Sequence, residues 1–148
     1  MSLLLLALLP LVGLPVVSVA ADGAKGDTRS AKQHSIDKAT QDAMVEIRDL
    51  VANNHSLITH RRMPKLTAIK MSSRVVALIE KIRDVSTLKD DARMELSYIL
   101  ADLERGVKAI GGSNKMIGAI DGIVLMDEAL AQYANQFDHP GWKAPREL

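Results

Sequence analysis

His139, set in the stretch NQFDHPGW from Asn135 to Trp142, and the basic run His60, Arg61, Arg62, Lys65, Lys70 and Arg74 carry the side chains through which this sequence could do chemistry. An imidazole is a metal ligand and a proton carrier near neutral pH. It is also a residue that closes a helix, and the Pro140–Gly141 pair that follows His139 is a helix-ending signal. The basic run has a similar double reading. His60, Arg61 and Arg62 suit the C-terminal end of a helix dipole, where cations are favoured. Together with Lys65, Lys70 and Arg74 they also make a patch for an anion, a phospholipid headgroup or cofactor carboxylates, or for a partner. The segment from 64 to 85 is the clearest local charge imbalance, with five Lys or Arg against two Asp or Glu.

The remaining histidines point to less. His34 is expected to be an exposed residue near a chain end. His55 and His60 lie five apart, which is the wrong spacing to share a metal on one helix face. Asp127 falls in an apolar series of helical period, so a carboxylate there must find a partner or take up a proton. The methionines Met63, Met71, Met94, Met116 and Met126 lack the close spacing of a copper-binding tract and are expected in the core or at its boundary.

No Ser-His-acid grouping, glycine-rich phosphate loop or HExxH stretch is present. The chain has no cysteine, which removes covalent haem attachment, thiolate metal sites and cysteine nucleophiles. A small helical enzyme acting on an anionic substrate would have to draw on Arg48, Arg61, Arg62, Lys70 and Arg74. The net charge of +1 gives no reason to expect a nucleic-acid partner.

The elements that must position these residues are helical. Aromatics make up only 3 % of the chain, so the core has to be built from Leu, Ile, Val, Met and Ala. Such a composition favours helix on helix over stacked strands. A first helix is predicted from a Ser35 cap to about Ile58, burying Ile36, Ala43, Ile47 and Leu50, with Met44 beside that stripe. Pro64 fits the first position of a second helix, whose face is Met71, Val75, Leu78, Ile82 and Val85. Thr87 and Asp90 have capping-box spacing for a third, which carries Ala92, Leu96, Ile99, Leu103 and Ile110. Gly111 and Gly112 stop it, and Ser113 or Asn114 starts a fourth that carries Met116, Ile120, Ile123, Leu130, Ala134 and Phe137. Short turns between four such helices predict an all-α, antiparallel up-down-up-down four-helix bundle.

Residues 3 to 19 are an apolar run that leads into small residues before Asp22, the order of a secretory signal cleaved after Ala20 or Ala21. The expected organisation is a signal peptide over 1–20, a flexible leader over 21–34, the bundle over 35–142 and a tail over 143–148. The expected location is the periplasm or the exterior, with no transmembrane span after signal cleavage.

An exported, cysteine-free four-helix chain with Met44 early in the first helix, in DAMVEIRDL, and His139 at the end of the fourth resembles the soluble cytochrome b562 family. The resemblance implies a periplasmic bundle that holds haem b without covalent bonds. Met44 and His139 would be its axial metal ligands, and its work would be one-electron transfer. Read from the residues alone, the chain is instead a non-enzymatic exported bundle that binds a secreted protein or another envelope component.

Overall fold

Asp37 starts the first helix. Its Oδ1 accepts the Thr40 backbone N–H at 2.8 Å and its Oδ2 accepts the Thr40 hydroxyl, also at 2.8 Å. One carboxylate therefore satisfies an orphan donor of the first turn and a hydroxyl that is fully buried. Ser35, the expected cap, lies two residues outside. The computed structural model describes residues 33–145, so the expected signal peptide, the leader up to Lys32 and the end of the tail lie outside the described residues.

Four helices follow in order: α1 (Lys38–Thr59), α2 (Lys65–Val85), α3 (Asp90–Ile110) and α4 (Ala119–Gln136). The chain is an all-α four-helix bundle. Neighbouring helices run antiparallel, as the pairing of positions shows. Gln33 Nε2 donates to the Ala134 carbonyl oxygen and His55 lies against Asp127, so rising numbers before and along α1 meet falling numbers in α4. Glu104 of α3 meets Arg83 of α2, while Gly111 at the end of α3 meets Ser72 farther back in α2. A two-residue parallel bridge ties the ends together, β1 (His34–Ser35) against β2 (Phe137–Asp138), with His34 opposite Phe137. The entry to α1 and the exit from α4 thus share one end of the bundle.

The core is aliphatic, as the composition requires. Ile47, Val51, Val75, Ile79, Ile82, Ile99, Leu103 and Leu130 have no exposed surface, and each such side chain contributes about 1.5–3 kcal/mol by leaving water. Val85 departs from the expected stripe and is 39 % exposed at the last turn of α2. Met94 and Met116 also depart from expectation. They are 50 % and 90 % exposed, while Met71 and Met126 are buried.

The other three helix starts also differ from the sequence reading. Pro64 precedes α2 as its N-cap instead of taking its first position. Lys89, not Thr87, precedes α3, and it provides no side-chain cap. The fourth helix begins at Ala119 rather than after Ser113 or Asn114. The Asn114 side chain is spent on the Met116 N–H at 2.9 Å and the Ser113 hydroxyl on the Lys108 carbonyl at 3.1 Å, so both stabilise a turn. Asp121 Oδ2 then accepts the Gly118 N–H at 3.2 Å at the true start.

Gly106, near the end of α3, has a packing role. A Cβ on Gly106 would lie 2.6 Å from the Gly122 carbonyl oxygen, and one on Gly122 would lie 2.6 Å from the Gly106 oxygen. The two backbones of α3 and α4 touch here, which only residues without a side chain allow.

Candidate functional site

The α1–α2 turn and the α3–α4 connection together form the end of the bundle opposite β1 and β2. Two sequence stretches with no Asp or Glu supply it, residues 50–79 and 105–120. Within them Arg61, Arg62, Lys65, Lys70 and Lys115 are all exposed. Charge therefore separates along the bundle, leaving this end basic.

The turn is built in a particular way. Arg62 N–H bonds to the Leu57 carbonyl at 2.7 Å and Arg61 N–H to the Ile58 carbonyl at 3.0 Å, the double bond of a Schellman stop. The residue that enters the left-handed region is Arg61, with φ of 56°. Glycine is the ordinary occupant of that position, and an L side chain there is strained by about 1–2 kcal/mol. His60 donates from Nδ1 to the Ser56 carbonyl at 2.8 Å and so closes the last turn of α1. Pro64 precedes α2 without any side-chain cap, which leaves the first N–H groups of that helix facing outward.

A cleft of about 590 Å³ opens at this end. Ile58, Ala68 and Ile110, all buried, give it an apolar floor, Met63 and Ile120 add to its walls, and Arg61 and Lys65 supply cations. Asp121 is the one carboxylate in its lining. Large apolar side chains stand exposed in the same two segments: Leu66 at 63 %, Ile69 at 42 % and Met116 at 90 %. The sequence reading named neither Leu66 nor Ile69 and assigned Met116 to the core or its boundary, because an apolar residue at helical spacing reads as core. The acid-free stretches were the available signal.

Of the basic run, the structure brings Arg61, Arg62, Lys65 and Lys70 to this end and sets Arg74 apart. Arg74 grips Glu46 with two bonds, Nε to Oε1 at 2.5 Å and Nη2 to Oε2 at 2.8 Å, across the α1–α2 seam. The hydrogen bonds from Arg74 hold the Glu46 carboxyl below the usual carboxylate range. Arg48 is farther still. Its Nε and Nη2 both donate to Asp49 Oδ1, and its guanidinium lies 5.3 Å over the Trp142 ring. Arg48 and Arg61 are separated by about 20 Å along α1 at 1.5 Å per residue. The cations named for an anionic substrate therefore do not converge.

Compared with protein-family models, curated proteins and solved structures, the chain matches none.

The opposite end holds Met44 and His139. The topology does place both there, since α1 begins where α4 ends. Their surroundings do not fit haem. Met44 is fully buried, and so are Tyr133 and Phe137 within one core cluster. The imidazole of His139 is enclosed by aromatics, with ring centroids 5.7 Å from Tyr133 and 4.9 Å from Trp142. Its Nδ1 is 2.8 Å from the Tyr133 hydroxyl. Burial, with a further contribution from Arg48, lowers the pKa of His139 below its ordinary value. Burial raises that of Tyr133. A neutral imidazole whose Nδ1 accepts a hydrogen bond from the Tyr133 hydroxyl satisfies both groups, and Trp142 closes over them at 4.7 Å from the Tyr133 ring. His139 is thus packed against Tyr133 and Trp142 at the bundle end, while Met44 is buried in the core.

His34 and Asp127 find partners that sequence spacing could not name. His34 Nε2 lies 3.0 Å from Glu95 Oε2 and joins the entry segment to α3. Asp127, with its side chain 10 % exposed, has Oδ2 at 3.1 Å from His55 Nε2. Among the described residues, no group of three or more His, Asp or Glu is placed to hold a metal ion.

Proposed function

We propose that this chain is a non-enzymatic exported bundle that binds a protein or other envelope component through its basic end. The apolar N-terminal run supports the exported location, in the periplasm or outside the cell. The observation that carries the binding role is the coincidence at one end of exposed Arg61, Arg62, Lys65 and Lys70 with exposed Leu66, Ile69 and Met116, at the end where an open cleft is lined by Arg61 and Lys65. Exposed apolar side chains rimmed by cations are costly to display and are a mark of an interaction face. At the other end aromatic packing closes over the start of α1 and the exit from α4, and the exposed Met94 and Tyr98 of α3 lie in a stretch that carries Asp90, Asp91, Glu95 and Asp102. Among the described residues no helix is long and apolar enough to cross a membrane.

The test is affinity capture from a detergent-solubilised envelope fraction, with the mature chain immobilised. The expected result is a component retained by the wild type and released by the triple exchange Arg62→Glu, Lys65→Glu and Lys70→Glu. These residues are all exposed, so the fold is retained. Equal retention by both proteins, or retention of nothing, refutes the assignment of this end.

A further inference from the structure

We infer that the envelope component is a lipid surface: the basic end docks on a bilayer carrying anionic phospholipid, with Leu66 and Met116 entering the headgroup region. The inference rests on the binding role proposed above and names its partner. Two features favour a bilayer over a folded protein. The apolar side chains come from two different segments, α2 and the α3–α4 connection, with exposures of 63 % and 90 %, and neither belongs to the lining of the cleft. A protein interface instead requires a continuous, well-packed apolar centre. The cations are likewise spread over both segments, with Arg61, Arg62, Lys65 and Lys70 on one side and Lys115 on the other.

Charge complementarity identifies the surface. No carboxylate occurs in residues 50–79 or 105–120. The carboxylates that border Met116 are Glu104, Asp121 and Glu128; Glu104 is paired with Lys108 and Arg83, and Asp121 is turned to the Gly118 N–H at the start of α4. A face of this kind is attracted to a negatively charged plane by about fivefold in partitioning per cation brought to it. The uncapped start of α2 adds outward N–H groups beside Lys65, and these are suited to phosphate oxygens. Apolar tips flanked by Lys and Arg are the pattern by which surface-bound proteins anchor without spanning.

The experiment is co-sedimentation of the mature chain with phosphatidylcholine vesicles, with and without phosphatidylglycerol. Binding is expected only with phosphatidylglycerol. It should be released on raising salt from 0.1 M to 1 M, where the screening length falls from about 10 Å to about 3 Å. The exchange Lys65→Glu with Lys70→Glu should lower binding by more than tenfold. Leu66→Ser with Met116→Ser, which leaves the charge unchanged, should lower it severalfold. Met94→Ser with Tyr98→Ser, exposed apolar residues of α3 outside the basic end, should leave it unchanged. Free inorganic phosphate that competes fully at matched ionic strength would show a simple anion site and overturn bilayer docking. So would wild-type binding that ignores phosphatidylglycerol, or that is unaffected by both the charge and the apolar exchanges. If vesicles are not bound while capture from envelope extract is still lost in the charge-reversal variant, lipid docking falls and the broader binding role stands.

Discussion

Gly106 of α3 and Gly122 of α4 meet backbone to backbone, so that a methyl group on either would sit 2.6 Å from the other's carbonyl oxygen. This contact sets how closely the two helices approach, and Met126 packs over it with its Cγ 2.6 Å from the position a Gly106 Cβ would take.

Gly122→Ala should therefore destabilise the protein, although alanine is the better helix former by about 1 kcal/mol. Overpacking against rigid backbone costs about 1–3 kcal/mol and outweighs that gain. Urea unfolding should show a lower midpoint at unchanged slope. A raised midpoint would mean that the helices separate freely at this point.

The first turn of α1 should depend on Asp37 and not on Ser35. Asp37→Ala should cost about 1–2 kcal/mol, at the upper end for a cap because the buried Thr40 hydroxyl also loses its acceptor. Ser35→Ala should change stability by less than about 0.5 kcal/mol. The same unfolding measurement separates the two.

His139 gives stability a dependence on pH of definite sign. Its folded pKa is below the ordinary value of 6.5, because burial first and Arg48 second disfavour the imidazolium. The unfolded chain then binds more protons in the window beneath 6.5, so stability is fully present above that pH and declines as pH falls through the window toward the lowered folded value. His139→Gln should flatten this decline in melting temperature between pH 7 and pH 5. An unaltered slope would place the effect elsewhere.

Arg61 occupies a left-handed position that glycine adopts without strain. Arg61→Gly should hold or raise stability by up to about 1 kcal/mol, the relief of strain being partly offset by the entropy of a freer unfolded chain. The same variant should weaken capture of the envelope component. A variant that gains stability and binds as well as the wild type would remove Arg61 from the binding face.

The closed aromatic end predicts how the protein meets haem. Titration of the purified chain with haem should leave the spectrum of free haem, with no shifted Soret band. Met44→Leu, a volume-conserving change in the core, should cost less than about 1.5 kcal/mol. A saturable Soret shift that Met44→Leu abolishes would restore Met44 and His139 as ligands.

Much of the architecture was legible from periodicity. The series Ala92, Leu96, Ile99, Leu103, Ile110 is buried throughout, as its spacing requires. Phe137 is indeed a core residue, yet it lies past α4 in an extended segment paired with His34, where helical spacing no longer applies. Met116 continued the same arithmetic and is 90 % exposed, because the turn made by Asn114 delays α4 until Ala119. A side chain that bonds its own backbone competes with helix initiation, and the apolar pattern carries no record of that competition.

The order of Leu, Ile, Val and Met along the chain was enough by itself to determine four helices and most of their inward faces, since burial at a period of 3.6 is written in the sequence. The basic run from His60 to Lys70 was legible in the same way, as was the need of Asp127 for a partner. Only the tertiary structure decided that His55 is that partner, that Arg74 is neutralised by Glu46, and that Lys115 joins Arg61 and Lys65 at one end. It likewise decided that His139 is held by Tyr133 and Trp142 rather than presented to a ligand. Each of these depends on the rotation and spacing of one helix against another. Those are set by the packing of many side chains at once, including the backbone contact at Gly106 and Gly122, and no local stretch of sequence contains them.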